Sequence, residues 1–386
     1  MDLLIDVTRL TYRFWQGRLP TGVDRVALAY VRYYGHRSRA VIRFAGNSWV
    51  MPAAQSSRLF AWLNSPVSVL SALRIIFSGI IAGWWNKQHS AGHILFNTSH
   101  SGLENKTYPA MLRKMRVKSV FIIHDLIPIT YPEYSREGEA EKHRLRMKHL
   151  LDSAAGIIAN SQVTLNDLSQ FAEGLNRPMP PSTVGLLAPG MLETQVSDRP
   201  MSKPYFVILS TIEPRKNHVM VLQVWRRLIE KLGDSAPHLM VIGQRGWECE
   251  NVVDILERCT ALKAFVTELN SCSDEDLVTY LHYSQALLFP SFAEGYGMPL
   301  VEALALGVPV IASDLPVFRE IAADIPDYVD PLDGKRWSEL IAEYTLTNSK
   351  HRTAQLSRIE SFKTPCWTDH FAQVDAMLTQ LGSSEK

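Results

Sequence analysis

Residues 205–232 read YFVILSTIEPRKNHVMVLQVWRRLIEKL. The first five, Tyr205 to Leu209, are apolar without a break. Ser210 to His218 form a polar stretch around Pro214, and a helical pattern runs from Val219 to Leu232. A strand with no alternation has no polar face to turn to water. It is buried on both sides, as in a parallel sheet covered by helices. The same kind of run recurs as SVFII at 119–123 and HLMVI at 238–242.

Working outward, strands are expected in the first half at Leu3–Val7, Ala40–Phe44, His93–Asn97, Ser119–His124 and Gly156–Asn160. In the second half they are expected at Tyr205–Ser210, His238–Ile242, Ala264–Glu268, Ala286–Phe289 and Pro309–Ala312. Strands alternating with helices make an α/β protein. The polar, proline-bearing stretch Thr194–Pro204 is the best linker. It divides the chain into two Rossmann-like, doubly wound domains, 1–197 and 198–386, with the last helix free to pack back on the first. Ligands of such sheets sit beyond the carboxyl ends of the strands.

Length and composition set the outer limits. At about 150 residues per domain, 386 residues allow two to three domains. Hydrophobic residues at 46% and charged residues at 20% exclude a disordered chain. Forty Lys and Arg against 39 Asp and Glu leave a net charge of +1, which argues against a nucleic-acid partner. Cys249, Cys259, Cys272 and Cys366 are widely spaced, so neither a disulfide framework nor a structural zinc site is expected. The start, MDLLIDVTRL, has no signal-peptide pattern.

Val67–Trp85 is apolar apart from Arg74 and three serines. Leu70, Leu73, Phe77, Ile80 and Trp84 recur at helical spacing, with Ser71, Arg74 and Ser78 on another face. It reads either as a buried helix of an ordinary domain or as a segment dipping into a membrane surface. A true span is disfavoured by the charge, the serines and two glycines.

Four places carry chemistry. Arg215 and Lys216 lie where a buried strand ends and a helix is about to begin. A planar fork and a point charge there suit a diphosphate, although a solvated basic turn explains the pair equally well. In FPSFAEGYGMPLVEALALGVPVIAS (289–313), a strand ends near Pro290 and a loop with Gly295 and Gly297 follows. A helix then begins near Pro299, placing Glu294 in the loop and Glu302 in the first turn. Both carboxylates can face one ligand, or Glu302 can merely complement the helix dipole. His124 ends the strand VFII and can bond a sugar hydroxyl or a developing charge. Thr21 and Gly22 open a helix, which by itself is a plain cap. No phosphate-loop lysine motif, complete G-x-G-x-x-G, H-E-x-x-H or G-x-S-x-G is present.

Taken together, these segments resemble the retaining glycosyltransferases of family four, which have the GT-B fold. The resemblance rests on EPRKN (213–217), the Glu-x7-Glu block 294–313, IIANSQVTLNDL (157–168) and SCSDEDL (271–277). HDLIP (124–128), GQRGW (243–247) and YVDPLD (328–333) complete it. It implies a nucleotide-sugar donor in the cleft between the domains. Arg215 and Lys216 would hold its diphosphate, and Glu302 its ribose. Glu294 and the amides of Gly295, Tyr296, Gly297 and Met298 would hold its sugar, with Ser271 near the base and His124 on the sugar's acceptor side. The family often has paired glycines where this chain has Gly22 alone. No metal and no resident cofactor are implied. The EPRKN and GQRGW forms look like those of bacterial enzymes that use GDP-mannose or a deoxysugar donor for surface polysaccharides. A mannosyl or rhamnosyl donor, GDP-mannose favoured, and a lipid-linked saccharide acceptor are therefore expected. The enzyme would sit in the cytoplasm against the anionic inner face of the membrane, with Val67–Trp85 and Arg113, Lys114, Arg116 and Lys118 forming the dock. Two other readings stay open: a nucleotide-sugar epimerase, and a non-catalytic membrane scaffold.

Overall fold

The computed structural model describes residues 2–383 except 19, 45, 66–67, 86–89 and 191–195, and not the side chains at 69, 84 and 85. The chain forms two compact units, Met1–Leu187 with Trp367–Lys386, and Ala188–Cys366.

The first unit is built on β1 (Leu3–Asp6), β2 (Ser38–Phe44), β3 (Asn47–Val50), β4 (Ile94–Asn97), β5 (Lys118–Ile123), β6 (Ala154–Ala159) and β7 (Ser182–Val184). They lie in the order β3-β2-β1-β4-β5-β6-β7. All neighbours are parallel except β3, which turns back antiparallel on β2. The second unit holds β8 (Tyr205–Leu209), β9 (His238–Ile242), β10 (Val266–Leu269), β11 (Leu287–Phe289), β12 (Val310–Ser313) and β13 (Asp327–Val329). Their order is β10-β9-β8-β11-β12-β13, parallel throughout. In each sheet the winding reverses beside the first strand, between β1 and β4 and between β8 and β11. At such a switch point the two strand-end loops diverge and leave a crevice.

The central strands are those expected from the apolar runs. β3, β7 and β13 were not expected. All three are sheet edges of three or four residues, partly exposed. An edge strand buries at most one face, so no continuous apolar run marks it.

The units divide at 187/188 rather than at the expected 197/198. The hydrogen bonds of the intervening segment explain the shift. Gly190 N–H donates to Glu302, and Ser197 N–H and Oγ donate to Thr279 and Glu275, all in the second unit. The first two residues of the expected linker, Thr194 and Gln195, lie outside the described residues.

The helix Trp367–Ser383 belongs with the first unit. Phe371 stacks on Tyr33 at 3.9 Å. Tyr30 donates its hydroxyl proton to His370 Nε2 at 2.8 Å. His370 Nδ1 in turn donates to the Leu186 carbonyl at 3.2 Å. The second unit has its own core, in which Trp225 and Trp337 are fully buried.

The helix Val69–Trp85 presents a different face from the one its spacing favours. Its small residues turn inward. A Cβ on Gly79 would stand 2.2 Å from Met51 Cε, and one on Gly83 would stand 2.9 Å from the Val50 carbonyl oxygen. Close approach of the backbone leaves the large side chains outside, with Leu70 68% and Phe77 70% exposed, Leu73 and Ile81 each 45%. Val67 and the side chain of Trp84, which the sequence reading also used, are outside the described residues. Among the described residues, no helix is long and apolar enough to cross a membrane.

Candidate active site

The loops after β8 and β11, on either side of the second sheet's switch point, bring three of the expected residues together. After β8 the chain makes a short turn, Pro214–Lys216, and Asn217 takes a left-handed conformation at φ +58° before the helix His218–Leu232. The Asn217 amide donates to the carbonyls of Pro290 at 3.3 Å and Pro331 at 2.8 Å, fastening three strand-end loops to one another. Phe292 N–H donates to the Arg215 carbonyl at 2.8 Å. The two loops therefore hold a fixed spacing.

Within this frame Glu294 sits between two cations. Arg215 Nη1 donates to Glu294 Oε2 at 2.8 Å, and Lys216 Nζ donates to Glu294 Oε1. Ser291 Oγ adds a bond to Oε1 at 2.7 Å. On its other side Arg215 Nε meets Glu213 Oε1 at 2.8 Å, and Trp247 Nε1 donates to Glu213 Oε2 at 3.2 Å. Burial pushes the Glu294 carboxyl up. The charges of Arg215 and Lys216 and their hydrogen bonds outweigh burial and bring it down to about 2. Burial and the neighbouring Arg215 charge hold the Lys216 ammonium below the usual lysine range, against the pull of Glu294. His218, next along, is held neutral by burial and by Lys216, its pKa pushed down to about 3. The result is a pre-formed pair of cations, Lys216 buried and Arg215 partly exposed, kept in place by acids.

In the first unit, the switch point between β1 and β4 opens onto a cavity of about 370 Å³. His124, at the end of β5, lines it with His100, His143, Arg9 and Arg146. His124 is buried. Its Nε2 lies 2.8 Å from the Thr98 carbonyl, and the Asn160 amide donates to the His124 carbonyl at 2.8 Å. Among the described residues, no group of three or more His, Cys, Asp or Glu side chains is placed to hold a metal ion.

Residues 192–354 match the family Glycosyl transferases group 1. The chain carries a glycosyl transferases group 1 domain. It is homologous to the serotype-specific mannosyltransferase WbdA of Escherichia coli, 30% identical over 243 residues, which cover 59% of this chain and 30% of WbdA. It is also homologous to the O-antigen chain mannosyltransferase B of E. coli, 27% identical over 230 residues, covering 56% of this chain and 58% of that protein. The match thus spans under a third of WbdA's length. Among solved structures, Anabaena Alr3699/HepE, crystallised with UDP-glucose, aligns with a TM-score of 0.66 at 15% identity, covering 100% of this chain and 99% of that one. The two parallel-sheet units are those of the GT-B fold.

In the second unit, Gly295, Tyr296, Gly297, Met298 and Glu302 follow β11 in one loop and helix. Gly297 caps the helix Met298–Ala305 at φ +116°, and a Cβ there would lie 2.7 Å from Phe318 Cε1, so only glycine fits. Gly295, the buried Tyr296 and Met298 flank it. Glu302 falls in the second turn of that helix, not the first, because the helix starts at Met298. Its dipole explanation therefore fails. The carboxylate is buried and accepts from Gly190 N–H at 3.4 Å. Ser271 is exposed in the loop after β10, which is separated from β8 by β9. In the first unit, Gly22 opens the helix Gly22–Tyr34, whose Thr21 bonds Asp24 through both its N–H and its hydroxyl. Sequence reasoning quoted Ser291 and Trp247 within their segments but gave them no role, although they position Glu294 and Glu213, and it passed over His100 and His143. His100 sits at a strand end, a signal that was available. His143 lies in a charged helix with nothing to mark it.

Proposed function

We propose that this chain is a retaining hexosyltransferase of family four that moves mannose or rhamnose from a nucleotide-diphosphate sugar, GDP-mannose favoured, to a lipid-linked saccharide in bacterial polysaccharide synthesis. The observation that carries this reading is the junction of Arg215, Lys216 and Glu294 at the switch point of the second sheet, inside the region that matches the glycosyltransferase family. The names of WbdA and the O-antigen chain enzyme favour a mannosyl donor.

The chemistry follows from charge. The bond from the hexose C1 to the diphosphate oxygen breaks, and C1 bonds the acceptor oxygen on the same face. The acceptor's hydroxyl proton leaves on the diphosphate oxygen, so no protein base is required. Negative charge grows on the diphosphate as the bond opens. Arg215 and Lys216 meet that charge most strongly in the transition state, which is the condition for lowering the barrier rather than merely binding substrate. In the same scheme Glu302 takes the ribose, Ser271 lies near the base, and Glu294 with the amides of Gly295 to Met298 holds the hexose. The scheme contains no metal and no resident cofactor.

The proposed location is the inner face of the cytoplasmic membrane. Leu70, Leu73, Phe77 and Ile81 form an exposed apolar stripe. Gly83, near the end of that helix, lines a cavity of about 630 Å³ together with Lys114. Arg113 and Arg116 are exposed beside it. Lys118, the fourth member of the expected basic run, instead donates to the Leu381 carbonyl at 2.9 Å. Each free basic side chain adds about 1 kcal/mol at an anionic surface.

Incubation with a panel of nucleotide sugars tests the function. Slow release of the nucleotide from one donor, with the anomeric configuration kept in the product, is the expected result. An isomerised sugar would make the protein an epimerase, and conversion of none would leave a scaffold.

A further inference from the structure

The second unit has a further cavity, of about 330 Å³, that shares no residue with the site above. Pro204 and Gln285 line it, and they stand just ahead of β8 and β11. Arg215, Lys216 and Glu294 follow those same two strands. The cavity is therefore at the opposite ends of the strands, about 15 Å away for a strand the length of β8.

Two arginines, Arg199 and Arg352, line the cavity, and no carboxylate does. Arg352 lies on the helix Lys350–Ile359 and commits one of its five N–H donors, Nε, to the Gln285 carbonyl at 3.1 Å. Among the described residues, neither arginine is paired with an acid. The acids nearby are engaged elsewhere. Asp327 pairs with Arg358 of the same helix, and Glu343 accepts from the Lys350 N–H at 3.3 Å. Burial, with no carboxylate to offset it, holds the Arg352 guanidinium below the usual arginine range.

This lining selects the charge and the class of a ligand. It repels cations, and a neutral molecule would leave both guanidiniums without a counter-charge. A phosphomonoester carries about −1.5 to −2 at pH 7, and its terminal oxygens accept from planar guanidinium forks. The hydroxyls add a second requirement. Thr345 and Thr353 give their protons to the carbonyls of Ile341 and Ser349, each at 2.8 Å. Their oxygens can then only accept, which suits hydroxyl groups of a ligand and not its phosphoryl oxygens.

We propose that this cavity is a second ligand site, which holds the phosphoryl group of a small phosphorylated polyol, such as a hexose phosphate, between Arg199 and Arg352. The proposal does not depend on the function proposed above, since the two sites share no residue. A lipid headgroup carries the same phosphoryl chemistry, and the test separates the two sources.

Equilibrium dialysis of the full chain against ¹⁴C-labelled glucose 6-phosphate, in phosphate-free buffer, reads the site. Binding is expected. Arg199→Gln changes an exposed side chain and should weaken it roughly tenfold, the scale for one charged hydrogen bond. Arg352→Gln should do the same, and if that variant fails to fold, Arg199→Gln decides alone. Lys216→Ala should leave the affinity unchanged, which separates this cavity from the nucleotide-sugar site. Inorganic phosphate should compete weakly and glucose not at all. Absence of binding, or binding that survives Arg199→Gln or is lost with Lys216→Ala, would overturn the proposal. Equal affinity for inorganic phosphate would overturn the polyol. Co-sedimentation with phosphatidic acid vesicles that requires Arg199, without binding of the soluble ester, would give the site to a lipid and overturn the proposal too. No arm needs turnover, so each can be read even if the nucleotide-sugar panel shows no conversion.

Discussion

At the scale of single residues, Lys216 is the most exacting position. Its ammonium is buried beside Arg215, faces Glu294 and stands 5.4 Å above the Phe289 ring. Replacing it with alanine removes charge where none can be borrowed from water. Turnover should fall by roughly 10²–10³-fold, the scale for one pre-organised electrostatic donor. Turnover close to that of the unaltered protein would remove Lys216 from the reaction. Its depressed pKa has a further consequence. The ammonium loses its proton at lower pH than an ordinary lysine, so activity should decline on the alkaline side before lysines generally titrate. Lys216→Arg, which cannot be deprotonated in that range, should shift this limb to higher pH even if it lowers the maximal rate. A pH–rate profile of both proteins decides it.

At the scale of elements, the helix Met298–Ala305 is set by its first residues. Gly297 must be glycine for two reasons, its φ of +116° and the contact with Phe318. Phe318 stacks on Phe289 at 4.8 Å, and Phe289 lies under Lys216, so a Cβ at 297 pushes toward the cations. Gly297→Ala should cost about 1–3 kcal/mol of stability, measured by urea unfolding. The helix Val69–Trp85 raises the opposite question, since Leu70, Leu73, Phe77 and Ile81 face out. If it is the membrane dock, Leu73→Ser with Phe77→Ser should weaken co-sedimentation with phosphatidylglycerol vesicles and leave the fold intact. Unchanged binding would assign these side chains to another role.

At the scale of the whole molecule, buried histidines set the response to acid. His370 and His218 have pKa values pushed down to about 4 and about 3, and His100, His124 and His143 are lowered as well. In the unfolded chain each titrates near 6.5. Below that pH the unfolded state takes up protons that the folded state refuses. Stability is therefore complete above about pH 6.5 and is lost as pH falls toward the folded values, by up to about 1.4 kcal/mol per pH unit for each histidine. His370→Asn should flatten the slope of the first unit by up to one proton, read as hydrogen exchange at β4 and β5 between pH 4 and 7. An unchanged slope would show that His370 is not buried neutral.

The sequence by itself determined the α/β class, the central strands and the loops that carry Arg215, Lys216, Glu294 and Gly297. Each of these is written locally, as an unbroken apolar run followed by a glycine- or proline-marked turn. Tertiary structure alone decided the edge strands, the true boundary between units and the inward turn of Gly79 and Gly83. It also decided the partnering of Glu294 and the gathering of His100, His124 and His143 around one cavity. Those features depend on which distant segments pack together. The burial of a histidine or the exposure of a leucine is a property of its neighbours in space, and no local pattern encodes it.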